Sequence, residues 1–281
     1  MSRRRAFLSL APVLVAHAWG VRAWAGALPR AAAVPGGVAR IGLGASERAP
    51  RVHLEGNRVL VVRDGDEWIA WAGIALTAQA GSKVRLQAQH ADGRHELHEI
   101  EVAAKTYASQ HLKVLPEQVN PSAEDLARHA RERTHLAGVL RTFSESAPAT
   151  LAMLWPARGQ RSSGFGLQRY FNGQLRSRHA GLDIAAPVGT PVIAANAGRV
   201  IDTGDYFFQG RTIVLDHGQG LLSLYAHLSA IDTAPAQVVG AGGPIGKVGA
   251  SGRVTGPHLH FSVYLNAVPV DPTVFLAGAA T

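Results

Sequence analysis

The chain has 281 residues, 47% of them hydrophobic, enough for one large core or two smaller ones. It contains no cysteine, which excludes disulfides, thiolate catalysis and Cys-type zinc sites, so any metal must be held by histidine and carboxylate, and 13 histidines are available. The formal charge is +8, but without the acid-free first 25 residues it falls to 24 Lys and Arg against 20 acids, or +4; a balance this mild favours anionic polymers such as a cell wall and does not argue for nucleic acid.

In chain order, residues 1–25 read as an export signal. Arg3-Arg4-Arg5 precedes an apolar run from Ala6 to about Ala16, and Ala23-Trp24-Ala25 fits a small-residue cleavage site. The run is too short to span a bilayer, so no stable membrane insertion is expected. Arg4-Arg5-Ala6-Phe7-Leu8 matches the twin-arginine pattern, and a general secretory signal can also begin with arginines. The expected location is the periplasm or cell envelope.

Residues 34–116 read as a small N-terminal β domain. Segments 58–62, 84–88 and 99–102 carry β-branched or alternating patterns, separated by turn signals at Asp64-Gly65-Asp66, Ala80-Gly81-Ser82 and Asp92-Gly93. Short strands at this spacing predict a sandwich. Residues 120–150 read as a helix and linker. Asn120-Pro121-Ser122-Ala123-Glu124-Asp125 offers cap residues, an early proline and acids for the first turn, and helix formers continue to about Arg141. From 151 to 278, glycine punctuates short apolar strands at 192–195, 212–215, 222–225 and 259–264, with no long amphipathic helix. The expected fold class is mainly β, with a C-terminal antiparallel β domain, a small N-terminal sandwich and one connecting helix.

The chemistry lies in the C-terminal part. His179-Ala180-Gly181-Leu182-Asp183 sets an imidazole and a carboxylate four apart, which on one strand would share a face, and Gly181, Pro187 and Gly189 argue against a helix. His258-Leu259-His260 sets two imidazoles on one face of another strand. Zinc takes this donor set, and three protein ligands leave a position for water. His227 is a further candidate, whereas His217 in Asp216-His217-Gly218 reads as structural. Spacing by itself reaches only a His/Asp metal site in a β domain, and does not say which of His258 and His260 would bind metal.

Residues 155–276 resemble the lysostaphin-type, or LytM-like, family of zinc metalloendopeptidases. The resemblance runs through Trp155-Pro156, Ser163-Gly164-Phe165-Gly166, Arg178-His179-Ala180-Gly181-Leu182-Asp183, Tyr225-Ala226-His227-Leu228-Ser229 and Thr255-Gly256-Pro257-His258-Leu259-His260-Phe261. It implies one zinc ion per chain held by His179, Asp183 and His260, with His227 and His258 as the catalytic histidines. It further implies hydrolysis of peptide cross-bridges in peptidoglycan, at D-Ala–diaminopimelate or glycine bonds, the former being the closer architectural match. The stem peptides are the expected partner. The alternative is a non-catalytic LytM-like activator of a cell-wall amidase, a role that accompanies lost ligands. The N-terminal domain is expected to bind wall polymer, to contact and restrain the active-site groove, or to serve as scaffold. Gly181 and Gly256 are expected where a Cβ would obstruct close approach. Ala234-Pro235-Ala236 departs from the family pattern at a position usually occupied by glycine, which bears on a turn and not on the metal site.

Overall fold

A computed structural model of the protein describes residues 29–114 and 120–278. The expected export signal lies outside the described residues. Among those described, no helix is long and apolar enough to cross a membrane.

The N-terminal strands form two sheets. One has the order β1-β5-β4, built from β1 (Val38–Gly42), β4 (Leu60–Asp64) and β5 (Glu67–Gly73). The other has the order β3-β2-β6-β7, built from β2 (Arg51–Leu54), β3 (Asn57–Arg58), β6 (Lys83–Gln89) and β7 (His95–Glu101). Ile41, Val61, Ala70 and Ala72 of the first sheet pack on Val52, Leu54, Leu86 and Ala88 of the second. The expected sandwich is therefore present. The expected strand at 58–62 is split at Val59, whose N–H bonds Val52 O at 2.9 Å.

Alternation along β5 buries both of its faces. Ala70 and Ala72 point to the sandwich interior, while Ile69 and Trp71 join Val38, Leu60 and Val62 in a core shared with the C-terminal domain, against residues such as Leu221, Leu265 and Val270. Asn266 fastens the same junction: its side-chain oxygen accepts from Gly73 N at 2.6 Å and its amide donates to Gly73 O at 3.1 Å. The three-stranded sheet is thus a middle layer and cannot swing free without exposing two cores.

Strand β8 (Ser109–Leu112) leaves the N-terminal domain, and α1 (Ala123–Val139) follows. Ser122 is its N-cap, accepting from Asp125 N at 3.1 Å, and Glu124 and Asp125 occupy the first turn. Pro121 lies before the cap, outside the helix where it was expected inside, and the helix ends two residues short of Arg141. Helix and sheet meet where Val139 and Leu140 pack on Val214, Leu224 and Ala226.

The C-terminal strands are β9 (Gln160–Ser163), β10 (Gln168–Phe171), β11 (Gln174–Arg178), β12 (Leu182–Ala185), β13 (Pro191–Ile193), β14 (Gly198–Tyr206), β15 (Gly210–Gly218), β16 (Leu221–Ile231), β17 (Val238–Val239), β18 (Pro244–Val248), β19 (His258–Leu265) and β20 (Val268–Val270). The main sheet runs β17-β14-β15-β16-β19-β12-β9, all antiparallel, with β18 bridging β13 and β16. Among the described strands, β8 departs from the antiparallel expectation by pairing parallel to β10. At the departure from the family pattern the turn forms without glycine: Ala236 takes φ +70° and its N–H bonds Val200 O at 2.8 Å.

His217 is structural, as read from the sequence. Its Nδ1–H donates to Ala197 O at 2.8 Å, and Nε2 meets Ser223 Oγ at 2.7 Å in a chain that continues to Tyr225 Oη. Burial pushes its imidazole down to about 4, whereas in an unfolded chain it would sit near 6.5. Below pH 6.5 the unfolded chain takes up a proton that the folded one refuses, so this site destabilises the fold progressively down to pH 4 and no further. The loss approaches about 3 kcal/mol, and denaturant titrations of His217→Gln should show a flatter dependence over that window. For the shared core, Trp71→Ala should cost about 3–5 kcal/mol and keep a single unfolding transition. A variant in which the N-terminal strands melt first, leaving the rest intact, would contradict a common core.

Candidate metal centre

Asp183 on β12 and His260 on β19 stand directly opposite each other across an antiparallel pair. His258, two residues from His260 on β19, shares its face, while Leu259 between them is fully buried on the other side. His179 is not on a strand with Asp183, contrary to the reading of the pair as one strand face. It lies in the turn between β11 and β12, fixed by two backbone bonds to the neighbouring loop: its N–H donates to Leu167 O at 2.9 Å and its carbonyl accepts from Gly166 N at 2.8 Å.

Three side-chain atoms converge. His179 Nε2 lies 3.0 Å from Asp183 Oδ1 and 3.0 Å from His260 Nδ1, and His260 Nδ1 lies 2.9 Å from the same Asp183 oxygen. The partners aim the rings. His179 Nδ1–H donates to Gly164 O at 2.7 Å, which leaves Nε2 as a lone pair. His260 Nε2 lies 2.9 Å from Ser262 Oγ, a hydroxyl that can accept its proton and so free Nδ1 for a metal. Two imidazole nitrogens and a carboxylate oxygen thus point at one another, a donor set that a cation between them would satisfy. Zinc binds imidazole nitrogen and carboxylate oxygen at about 2.0–2.2 Å, so one ion reaches all three atoms of a triangle about 3 Å on a side. Among the described residues this is the one cluster of three or more such side chains close enough to share an ion.

The surroundings aim these donors. Arg169 on β10 donates to Asp183 Oδ2 at 2.5 Å, turning Oδ1 toward the histidines, and Arg169 Nε donates to Gln110 Oε1 at 3.1 Å. A Cβ on Gly181 would come within 2.5 Å of Phe261 O and Ser262 Oγ and 2.7 Å of His260 Cε1, so glycine there admits the ligand strand. Gly256 does not meet that expectation: a Cβ there touches nothing within 4 Å. Burial lowers His179 to about 4, so it stays neutral and able to ligate at neutral pH.

His227 and His258 stand beside the triangle. Strand β16 pairs with β19 up to Ala226 and with β18 from Leu228, and its register against β15 slips over the same residues. His227 sits at that bulge with φ +63°, a strained position that re-aims its ring. Its ring centroid is 4.8 Å from that of His258 and 5.9 Å from that of His260. His227 Nδ1–H donates to Ser251 O at 2.8 Å, and His258 Nδ1–H donates to Gly256 O at 2.8 Å, leaving each Nε2 as an acceptor. His258 Nε2 is 3.8 Å from Asp183 Oδ1. Burial lowers His227 to about 3, with the charges of His260 and His258 acting in the same direction.

All five sequence-read residues thus meet at one place, a cleft of about 180 Å³ whose walls include Asp183, His227 and His258. Gln110, Leu112 and Val114 from the segment leaving the N-terminal domain also line it, and Gln110 Nε2 donates to Ser163 Oγ at 2.7 Å. Arg169, Arg253 and Gln110 went unremarked in the sequence. Arg253, seven residues before His260, was within reach of the motif; Gln110 lies in a segment with no motif and reaches the cleft only through the parallel β8–β10 pairing.

Comparison with known proteins agrees with this geometry. The family model for peptidase family M23 matches residues 177–272, and that for its N-terminal domain matches residues 31–105. The DD-carboxypeptidase/endopeptidase Mpg of Neisseria meningitidis serogroup B is 46% identical over 94 residues, 34% of this chain and 22% of that protein. The peptidoglycan DD-endopeptidase ShyA of Vibrio cholerae is 41% identical over 93 residues, 33% of this chain and 22% of that protein. The chain therefore spans about a fifth of the length of these curated relatives. A Pseudomonas aeruginosa crystal structure assigned to peptidase M23 is 42% identical with a TM-score of 0.74, and the alignment covers 87% of this chain and 95% of that one. With both of its domains matched and a relative of that assignment aligned over nearly its whole length, the protein belongs to peptidase family M23.

Proposed function

We propose that the chain is a zinc-dependent endopeptidase that hydrolyses peptide cross-bridges of bacterial peptidoglycan at D-Ala–diaminopimelate bonds. The observation that carries this reading is the convergence of His179, Asp183 and His260 within 3.0 Å, with two further imidazoles at its edge. The similarity to the peptidoglycan DD-endopeptidase ShyA supports the choice of peptidoglycan as substrate, and that to the DD-carboxypeptidase/endopeptidase Mpg supports peptide-bond hydrolysis. A substrate of that kind would be met in the periplasm or cell envelope.

His179, Asp183 and His260 would hold the ion. Bound there, zinc would supply Lewis-acid polarisation of the scissile carbonyl and would make a nearby water more acidic. The protein's own residues handle the proton. In hydrolysis the oxygen of water bonds to the carbonyl carbon, the C–N bond breaks, and a proton passes from water to the leaving amine. His258 and His227 each present an Nε2 acceptor, and one of them takes that proton and returns it. The other would steady the negative charge that develops on the carbonyl oxygen as an imidazolium donating from Nε2, since its Nδ1–H is already committed. The outward Nδ1 bonds to Gly256 O and Ser251 O keep both rings from turning away. Nothing in the geometry favours a non-catalytic activator, since all five side chains are present and assembled.

Purified sacculi digested with the zinc-loaded chain and read by mass spectrometry should lose cross-linked dimers and gain monomers, and a chelator should stop this until zinc is restored. Cleavage indifferent to the chelator would refute the metal reading. His179→Ala and Asp183→Ala should each lose the ion, read as zinc per chain falling from near one to near zero. His258→Ala should keep the ion yet lose at least about 100-fold in kcat/KM. Zinc lost in His258→Ala but retained in His260→Ala would reverse the ligand assignment.

A further inference from the structure

Gln110 reaches the metal centre from the segment that leaves the N-terminal domain, and both ends of its carboxamide are committed there. The parallel pairing of β8 with β10 sets it directly beside Arg169 in register. Its Oε1 accepts from Arg169 Nε at 3.1 Å, and its Nε2 donates to Ser163 Oγ at 2.7 Å. Arginine can only donate, so the atom facing it is the carbonyl oxygen, and the amide orientation is fixed. Ser163 is in turn the register partner of Asp183 in the β9–β12 pair. One half-buried side chain thus ties the strand beside Asp183 to the arginine on its carboxylate.

The consequence follows from the shape of the guanidinium. Arg169 Nη2 donates to Asp183 Oδ2 at 2.5 Å while its Nε is held by Gln110. Two donors of one rigid planar fork are therefore fixed by two acceptors, and the plane cannot turn without breaking a bond. The long stem of an arginine would otherwise be free to swing, and the Asp183 carboxylate could turn with it. Held in place, the guanidinium keeps Oδ2 occupied. That leaves Oδ1 for the histidine nitrogens, 3.0 Å from His179 Nε2 and 2.9 Å from His260 Nδ1. The side chains of Arg169 and Asp183 are only 18% and 6% exposed, so water competes little for this contact.

We infer that Gln110 is a positioning residue for the metal centre: acting through Arg169, it sets the affinity of the His179, Asp183 and His260 site for zinc. This rests on the metal reading above. It gives the segment leaving the N-terminal domain a part in holding the ion, beyond scaffolding. Outer partners of metal ligands commonly contribute about 10–100-fold to metal affinity.

The test is a zinc titration of the full chain against a competing chelator, with thermal unfolding of the metal-free chain alongside. Gln110→Leu removes both bonds and should raise the zinc Kd at least about tenfold. Gln110→Asn keeps the amide but is one methylene short. It should lose affinity alike, and it decides the matter if the leucine variant fails to fold. Gln110→Glu keeps an acceptor for Arg169 Nε and should restore most of the affinity. In an Arg169→Met background, Gln110→Leu should change Kd little further, because the route through the guanidinium is gone. A Kd unaltered in Gln110→Leu and Gln110→Asn, with only the melting temperature lowered, marks a packing role and overturns the inference. Equal losses with and without Arg169 overturn it too, as does a Gln110→Glu chain that loses as much as Gln110→Leu. A wild-type chain that binds no zinc removes the metal reading itself, whereas wild-type binding that the Gln110 variants leave intact removes only the role of Gln110.

Discussion

Two imidazole nitrogens and a carboxylate oxygen stand within 3.0 Å of one another. The fold holds them in that place. It does so through the antiparallel register that sets Asp183 against His260, through the backbone bonds that fix the turn carrying His179, and through outward hydrogen bonds that commit the remote nitrogen of each ring. Arg169 adds the complementary constraint by occupying the other oxygen of Asp183. A cation bound by all three would tie β12, β19 and the segment of His179 together, so metal affinity and fold stability would be coupled at this point.

The rest of the molecule supplies stiffness and access. The middle sheet of the N-terminal domain is buried on both faces, so that domain shares a core with the β layer bearing the site. From it the chain passes through β8, which pairs with β10 and brings Gln110 into contact with Ser163 and Arg169. Two strained or crowded backbone positions lie where the site needs them. His227 takes a positive φ at a bulge, and Gly181 leaves room for the strand of His260.

Much of this was legible in the sequence, for identifiable reasons. His258 and His260 are two apart on a strand, and a period of two fixes their shared face whatever the surrounding fold. The sandwich announced itself by alternation and turn residues. The relation of His179 to Asp183 is not one strand face, and a spacing of four does not reveal where a strand begins; the chain bends at Gly181 and β12 starts only at Leu182. Gly256 looked as necessary as Gly181, but necessity depends on which atoms lie opposite, and opposite Gly256 there are none. Gln110 and Arg169 were invisible because their roles arise from strand pairing between segments 59 residues apart. Pro121 stands just before the Ser122 cap and not at an early helical position; a proline before the cap and one just inside it look alike in sequence.

The central claim is that three protein donors hold one ion and leave it open to solvent. X-ray absorption at the zinc edge of the metal-loaded full chain tests it most directly. The account predicts two imidazole nitrogens and one carboxylate oxygen at about 2.0–2.2 Å, with at least one further light scatterer contributed by exchangeable solvent. A closed shell of four protein ligands, or a spectrum with fewer than two imidazoles, would contradict it.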